Sequence, residues 1–471
     1  MKNTVVGRIK EQKRLQKLYE SGKPEFIAMY GRRRIGKTFL IRQMFENEFI
    51  FDLAGLANST TEKQLLNFNI AINHSKNQEF ELVENWLLAF EQLRTLIEKS
   101  QKERKIVFID EIPWLDTPHS DFISALEHFW NGWACSRNDL MLIVCGSATS
   151  WIINKLINNH GGLHNRLTAT IHLQPFTLSE TELFLQSQGI KFSRYQIAEC
   201  YMIMGGIPYY LSKIKRGLSL AQNIDNLFFE HDAELKNEFK NLYASLFRDA
   251  TGYVKIVEAL SKKTKGLTRN ELLEVTKLQS GGTFSDILKN LEYCDFIRRY
   301  SLPSKRKRDV LYQLLDAYTL FYFKYLEMFD EQDEHFWTNT ANSPQHNAWA
   351  GYAFEILALQ HTNEIKKALG ISGVQTATFA WRSERSNPAA QIDLVIDRKD
   401  GIINLCEIKF SKTQFIIDKD YEENLRNKIA TFQSETKTKK AVHLLMLTTF
   451  GLKKNKYFSI AQKEVLLDDL F

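Results

Sequence analysis

Gly31-Arg32-Arg33-Arg34-Ile35-Gly36-Lys37-Thr38 is the stretch from which the rest of the chain is read. It fits the pattern G-x-x-x-x-G-K-[ST]. In that pattern the glycines let backbone N–H groups close around phosphate oxygens, the lysine reaches the outer phosphates, and the hydroxyl holds Mg²⁺. The flanks suit the same chemistry. Phe26-Ile27-Ala28-Met29-Tyr30 reads as a buried strand before the loop, and Phe39-Leu40-Ile41-Arg42-Gln43-Met44-Phe45 as the opening turns of a helix after it. Strand, loop and helix N-terminus together make an anion site. The ligands this implies are ATP and Mg²⁺, held by Gly31 through Thr38.

Such a site needs a second buried strand that ends in carboxylates. Ile106-Val107-Phe108-Ile109-Asp110-Glu111 supplies one, with Asp110 expected on Mg²⁺ and Glu111 polarising the attacking water. A core strand meeting a solvated acidic turn is the plainer alternative. Leu142-Ile143-Val144-Cys145-Gly146-Ser147 is a further strand with a polar tip, and Ser147 is the candidate γ-phosphate sensor. Its alternative is a helix cap before Thr149-Ser150-Trp151. Arg166 is the candidate arginine finger offered to a second copy in a homo-oligomer, with a solvated arginine as its alternative.

At 471 residues the chain has room for about three domains, and 44% hydrophobic content lets each bury a core. No run of eighteen apolar residues and no apolar leader is present, so a cytoplasmic chain without a membrane partner is expected. Cys135, Cys145, Cys200, Cys294 and Cys406 form no metal-spaced pair and suit a reducing compartment. The net charge is +6, and residues 251–310 alone hold 13 Lys and Arg against 7 Asp and Glu. A local basic surplus points to an anionic partner.

Apolar strands alternate with amphipathic helices over residues 1–175, the signature of a helix-covered parallel sheet. Residues 176–248 read as helices interrupted by Gly205-Gly206-Ile207-Pro208. Residues 249–330 read as three helices and a hairpin, a winged helix-turn-helix pattern, with Thr268 and Glu271 at capping-box spacing. Its wing carries Lys305-Arg306-Lys307-Arg308, with Arg298 and Arg299 on the adjoining strand and Lys262, Lys263 and Lys265 before the second helix. These residues are expected to neutralise DNA phosphates with little base readout. A packing module with a solvated charged loop is the alternative. Residues 331–347 read as a linker, and residues 348–471 as mixed α/β.

The C-terminal part holds a second cluster. Ile392-Asp393 and Cys406-Glu407-Ile408-Lys409 flank an Asp400-Gly401 turn. Folded as a hairpin, Asp393 faces Glu407, and strand period two keeps Glu407 and Lys409 on one face. Two carboxylates can ligate Mg²⁺ by oxygen and a lysine can offset developing charge. Glu355, on the helix opened by Gly351-Tyr352-Ala353-Phe354, adds a third carboxylate. A surface hairpin with a Glu407–Lys409 ion pair is the alternative.

The chain resembles the archaeal-type ATPases, a branch of the P-loop NTPases near the AAA+ and STAND groups. The resemblance rests on Val6-Gly7-Arg8, Gly31–Thr38, Phe108–Glu111, Cys145-Gly146-Ser147, and Gly205-Gly206-Ile207-Pro208-Tyr209-Tyr210-Leu211, the last similar to that family's lid motif. The C-terminal spacing resembles the PD-(D/E)XK nucleases, with Ile392 where many members have proline. These resemblances imply an α/β protein: a P-loop NTPase parallel sheet, a helical lid, a winged helix-turn-helix, and a restriction-endonuclease-like domain with Asp393, Glu407, Lys409 and Glu355 as its catalytic set. They imply a DNA-associated ATPase coupled to a metal-dependent nuclease. The alternative is a nucleotide-dependent switch whose C-terminal domain binds DNA or a partner without cleaving it.

Overall fold

The computed structural model describes residues 5–74, 80–159, 161–247, 249–263, 265–301, 310–329, 333–341, 343–383 and 390–471. Lys305, Arg306, Lys307 and Arg308 lie outside the described residues. Two compact units emerge, Met1–Pro175 and Phe176–Phe471. No described helix is long and apolar enough to cross a membrane.

The first unit is built on five parallel strands: β1 (Glu25–Tyr30), β2 (Phe49–Ala54), β3 (Lys105–Asp110), β4 (Leu140–Gly146) and β5 (Ala169–His172), in the order β2-β3-β4-β1-β5. Every residue of β3 and β4 is buried, which explains their near-continuous apolar runs: helices cover both faces of such a sheet. The helix Trp86–Lys99 presents Trp86, Ala89, Phe90, Leu93, Leu96 and Ile97 to the core at helical spacing, and Asn85 caps it by accepting from the Leu88 N–H. Burying each large apolar side chain contributes about 1.5–3 kcal/mol. Strand order places β4 between β1 and β3. The loop after β1, Asp110 at the end of β3 and Ser147 just past β4 therefore share the carboxyl edge of the sheet, where open α/β sheets bind ligands.

The second unit carries two sheets. Helices Thr251–Ser261, Arg269–Thr276 and Gly282–Tyr293 pack with a small antiparallel sheet of β6 (Leu267–Thr268), β8 (Val310–Leu314) and β7 (Ile297–Ser301). The capping box of Thr268 and Glu271 is formed. The C-terminal sheet has the order β13-β12-β11-β10-β9, from β9 (Thr376–Arg382), β10 (Gln391–Arg398), β11 (Ile402–Lys409), β12 (Ala441–Thr448) and β13 (Lys463–Leu466). β9, β10 and β11 are antiparallel neighbours, while β11, β12 and β13 run parallel.

Two expectations need correction. Residues 331–347 read as a linker, yet the described part is packed structure. Trp337, in the helix Phe336–Thr340, lies against Phe321, Tyr325 and Trp349 at ring separations of 5.2–5.5 Å. The buried Asp225 carboxylate fixes this turn by accepting from the Trp337 N–H at 2.7 Å, the Thr338 N–H at 3.2 Å and the Thr338 hydroxyl at 2.5 Å. Its polar surface composition had hidden one anchoring tryptophan. The separation of residues 249–330 from the C-terminal domain is the second. Tyr300 and Leu311 of the small sheet belong to one hydrophobic cluster with Phe379, Trp381, Val395 and Leu405 of the larger one, so the two share a core.

Candidate functional site

The phosphate-type loop owes its path to its glycines. Gly31 has φ +143°, and a Cβ there would stand 2.2 Å from the Leu173 carbonyl oxygen. Gly36, at φ +89°, turns the chain into the helix Lys37–Phe45. The Lys37 ammonium is buried and donates to the loop carbonyls of Gly31 (2.9 Å) and Arg32 (2.8 Å). The Thr38 hydroxyl donates to Asp110 Oδ2 at 2.6 Å, joining the loop to β3. Arg32 and Ile35 are buried, Arg33 is exposed, and Arg34 adopts φ +70°.

The acidic strand end is equally ordered. Asp110 Oδ1 accepts from the Glu111 N–H at 2.9 Å and from the Cys145 thiol at 2.9 Å. Burial, with the Asp110 carboxylate beside it, pushes the Cys145 thiol well up, so it remains a neutral donor. Glu111 sits at φ +45°, a left-handed conformation that costs a non-glycine residue about 1–2 kcal/mol. Its Oε2 accepts from the Ser147 N–H at 3.1 Å and the Ser147 hydroxyl at 2.9 Å. The hydroxyl therefore serves Glu111 and does not cap the following helix, whose first flanking residue is Ala148. Arg166 is exposed on the segment after Leu163. Sequence reading assigned no site role to Arg8, yet it is buried and its guanidinium donates to the Ile35 carbonyl at 3.3 Å, inside the loop. Nor did it find the Cys145 thiol, because a hydrogen bond between neighbouring strand ends leaves no local pattern.

Residues 5–214 match a family model described as an ATPase domain predominantly from Archaea. This part of the chain is a P-loop ATPase domain. The chain is 28% identical over 376 residues to an uncharacterized protein of Methanocaldococcus jannaschii, covering 77% of this chain and 78% of that one. Among solved structures it is similar to a Walker-type ATPase of Pyrococcus abyssi (TM-score 0.49, 17% identity, 68% of this chain and 96% of that one). It is also similar to the ORC2 protein of Aeropyrum pernix (TM-score 0.43, 14% identity, 68% and 94%).

Beyond the matched residues the chain also carries the C-terminal cluster. β10 and β11 pair Leu394 with Cys406, a register that carries Asp393 to the position facing Glu407. Asp393 Oδ2 accepts from the Ile408 N–H at 3.1 Å. Glu355, on the helix Pro344–Gln360, shares a partner with Asp393: the Lys265 ammonium donates to Glu355 Oε2 at 2.7 Å and to Asp393 Oδ1 at 2.6 Å. Burial, with Asp393 beside it, pushes the Glu355 carboxyl up to about 7 in spite of Lys265. Burial acts against the charge on Lys265, but Asp393 and Glu355 hold its proton well above the ordinary lysine range.

Glu407 is 3% exposed and meets Lys409 at 3.0 Å, Lys428 at 2.7 Å and the Tyr421 hydroxyl at 2.7 Å. Burial alone would raise its carboxyl; Lys409 and Lys428, with hydrogen bonds from Lys428 and Tyr421, hold it below the ordinary value. Lys265, Tyr421 and Lys428 are site residues that the sequence reading missed. Lys265 was instead expected on DNA phosphates, and burial in this ion network corrects that. Among the described residues, no group of three or more His, Cys, Asp or Glu side chains gathers to hold a metal ion.

Arg298 also departs from its expected DNA role. Strand period two puts it on the inward face with Tyr300, where its Nε donates to Gln313 Oε1 at 2.8 Å and its guanidinium lies 4.9 Å from the Tyr300 ring centre. Burial pushes it down to about 10. Arg299 is exposed and pairs with Glu292 at 3.0 Å.

Proposed function

We propose that this protein uses ATP hydrolysis in its first unit to control how its second unit engages DNA. The observation that carries the reading is the gathering of Lys37, Thr38, Asp110, Glu111 and Ser147 on one sheet edge. The Thr38 hydroxyl and Asp110 carboxylate are oxygen donors 2.6 Å apart and fit Mg²⁺, which would neutralise phosphate charge when bound with ATP. Lys37 supplies fixed positive charge at the loop. Glu111 stands beside Asp110 as the base for water, and Ser147 orients it. The exposed Arg166 is offered as the finger for a second copy.

DNA binding is supported by three helices on a small antiparallel sheet, the arrangement of a winged helix-turn-helix, together with the basic surplus of residues 251–310. Arg299 and the Lys305–Arg308 run are the proposed phosphate contacts. The facing of Asp393 and Glu407, with Lys409 two residues on, supports a nuclease-like C-terminal domain. In this arrangement Lys265, Lys409 and Lys428 already occupy the carboxylates, so a Mg²⁺ ion has room only once a lysine withdraws, and no cleavage step is derived. That saturation favours a second reading, a nucleotide-dependent switch that binds DNA or a partner without cutting it.

The test is ATPase and DNA binding by the full chain beside Lys37→Ala and a variant with Lys305, Arg306, Lys307 and Arg308 all replaced by Ala. Hydrolysis lost in Lys37→Ala is expected. Replacing the four cations should flatten the dependence of log affinity on log salt by up to about 0.9 per phosphate contact removed. An unchanged salt slope would refute the wing as the DNA contact. DNA cleavage with Mn²⁺, lost in Lys409→Ala, would restore the nuclease reading over the switch.

A further inference from the structure

We infer that Glu355 and Asp393 form a cation site whose resident cation is the Lys265 ammonium, so that the turn bearing Lys265 is a built-in plug which a divalent cation must displace. The inference rests on the nuclease-like reading of these carboxylates. Both aim an oxygen at one nitrogen, 2.7 and 2.6 Å away, from elements 90 and 128 residues downstream of it. The Lys265 side chain is 10% exposed and that of Asp393 6%. The other oxygen of Asp393 is already taken by the Ile408 N–H, so Oδ1 is the one left for a cation. Lys409 and Lys428 make their ion pairs with Glu407, and Lys409 acts on Glu355 and Asp393 only through space, so among the described residues Lys265 is the cation in direct contact with this pair.

The presentation of Lys265 is built into the fold. Gly266 follows it at φ +78°, and a Cβ there would stand 2.2 Å from the Tyr312 carbonyl oxygen, so the turn admits only glycine. The Tyr300 hydroxyl donates to the Lys265 carbonyl at 2.6 Å and fixes the backbone of the plug. Arg382 of β9 pairs with Glu271 at 3.4 Å, tying the next helix to the C-terminal sheet. A buried pair of carboxylates stripped of its counter-charge is strongly unfavourable. When the turn withdraws, the site either protonates or takes up another cation, and a doubly charged ion answers two carboxylates better than an ammonium. Withdrawal of the Lys265 turn is then the event that opens the site.

Mn²⁺ binding to the nucleotide-free full chain, read by electron paramagnetic resonance, tests this without any cleavage assay. Lys265→Met should acquire an Mn²⁺ equivalent bound at least about tenfold more tightly than in the wild type, and Lys265→Met with Asp393→Asn should lose it. Tyr300→Phe keeps every charge and should shift affinity in the same direction by a smaller factor, which preserves the test if Lys265→Met folds poorly. An Asp393-dependent ion bound as tightly by the wild type as by Lys265→Met would overturn the plug and leave the nuclease-like reading standing. Absence of an Asp393-dependent ion from every variant would overturn both.

Discussion

Glu111→Gln isolates chemistry from binding in the ATPase site. The carboxylate and the amide have the same shape, and the interactions of Glu111 are specific enough to follow. Its Oε2 accepts two hydrogen bonds from Ser147, at 3.1 and 2.9 Å, which a glutamine carbonyl oxygen can keep. Its backbone N–H donates to Asp110 at 2.9 Å irrespective of the side chain. Losing the charge weakens two charge-assisted bonds to neutral ones, a change of about 1 kcal/mol in stability. The Thr38–Asp110 link and the Lys37 contacts are untouched, so ATP affinity should stay within about threefold. The lost general base is worth about 10²- to 10⁴-fold in kcat, or roughly 3–5 kcal/mol of barrier. Steady-state phosphate release with a parallel equilibrium nucleotide-binding titration measures both quantities. A kcat within about threefold of the wild type would refute the role given to Glu111. Loss of binding would mean that its charge builds the site.

Gly31→Ala should destabilise the first unit by about 3 kcal/mol and abolish nucleotide binding, because the added Cβ would meet the Leu173 carbonyl at 2.2 Å and φ is +143°; thermal melting and a nucleotide titration check it. Asp225→Ala should cost about 3 kcal/mol, since it strands the Trp337 and Thr338 N–H groups and a hydroxyl in a buried setting; an unaltered melting temperature would show that water replaces the carboxylate. Glu355 binds its proton more tightly in the fold than in the open chain, with a folded value of about 7. Between the unfolded value near 4.3 and about 7 the folded state therefore holds more protons, and its stability falls as pH rises. Glu355→Gln removes that loss, so the variant should gain about 2 kcal/mol on the wild type between pH 5 and pH 7 in chemical unfolding. Parallel stability curves for the two proteins would rule it out.

Much of the first unit was legible in order of appearance. The strands expected at Phe26–Tyr30, Ile106–Glu111 and Leu142–Ser147 are β1, β3 and β4 to within a residue or two. A strand buried on both faces must be apolar throughout, and a loop that wraps phosphate must carry glycine, so both leave marks in short windows. The hairpin of β10 and β11 was readable for a related reason: an Asp-Gly turn and a period of two specify which residues face each other.

What the sequence by itself determined is local. Residue types spaced within one turn, one strand or one loop announce a phosphate-type loop, an acidic strand end and a carboxylate hairpin. Tertiary structure alone decided which partners those groups meet. Lys265 lies 128 residues before Asp393 and Lys428 lies 21 after Glu407, and no periodicity links them. Trp337 read as linker until Asp225, 112 residues earlier, capped its backbone. Burial pairs a charge with whatever opposite charge the fold brings near, because leaving it unpaired in a low dielectric costs more than almost any local preference. That choice is made by the packing of whole elements, which is why a run of basic residues could look like a DNA surface while one of its lysines fills a carboxylate site.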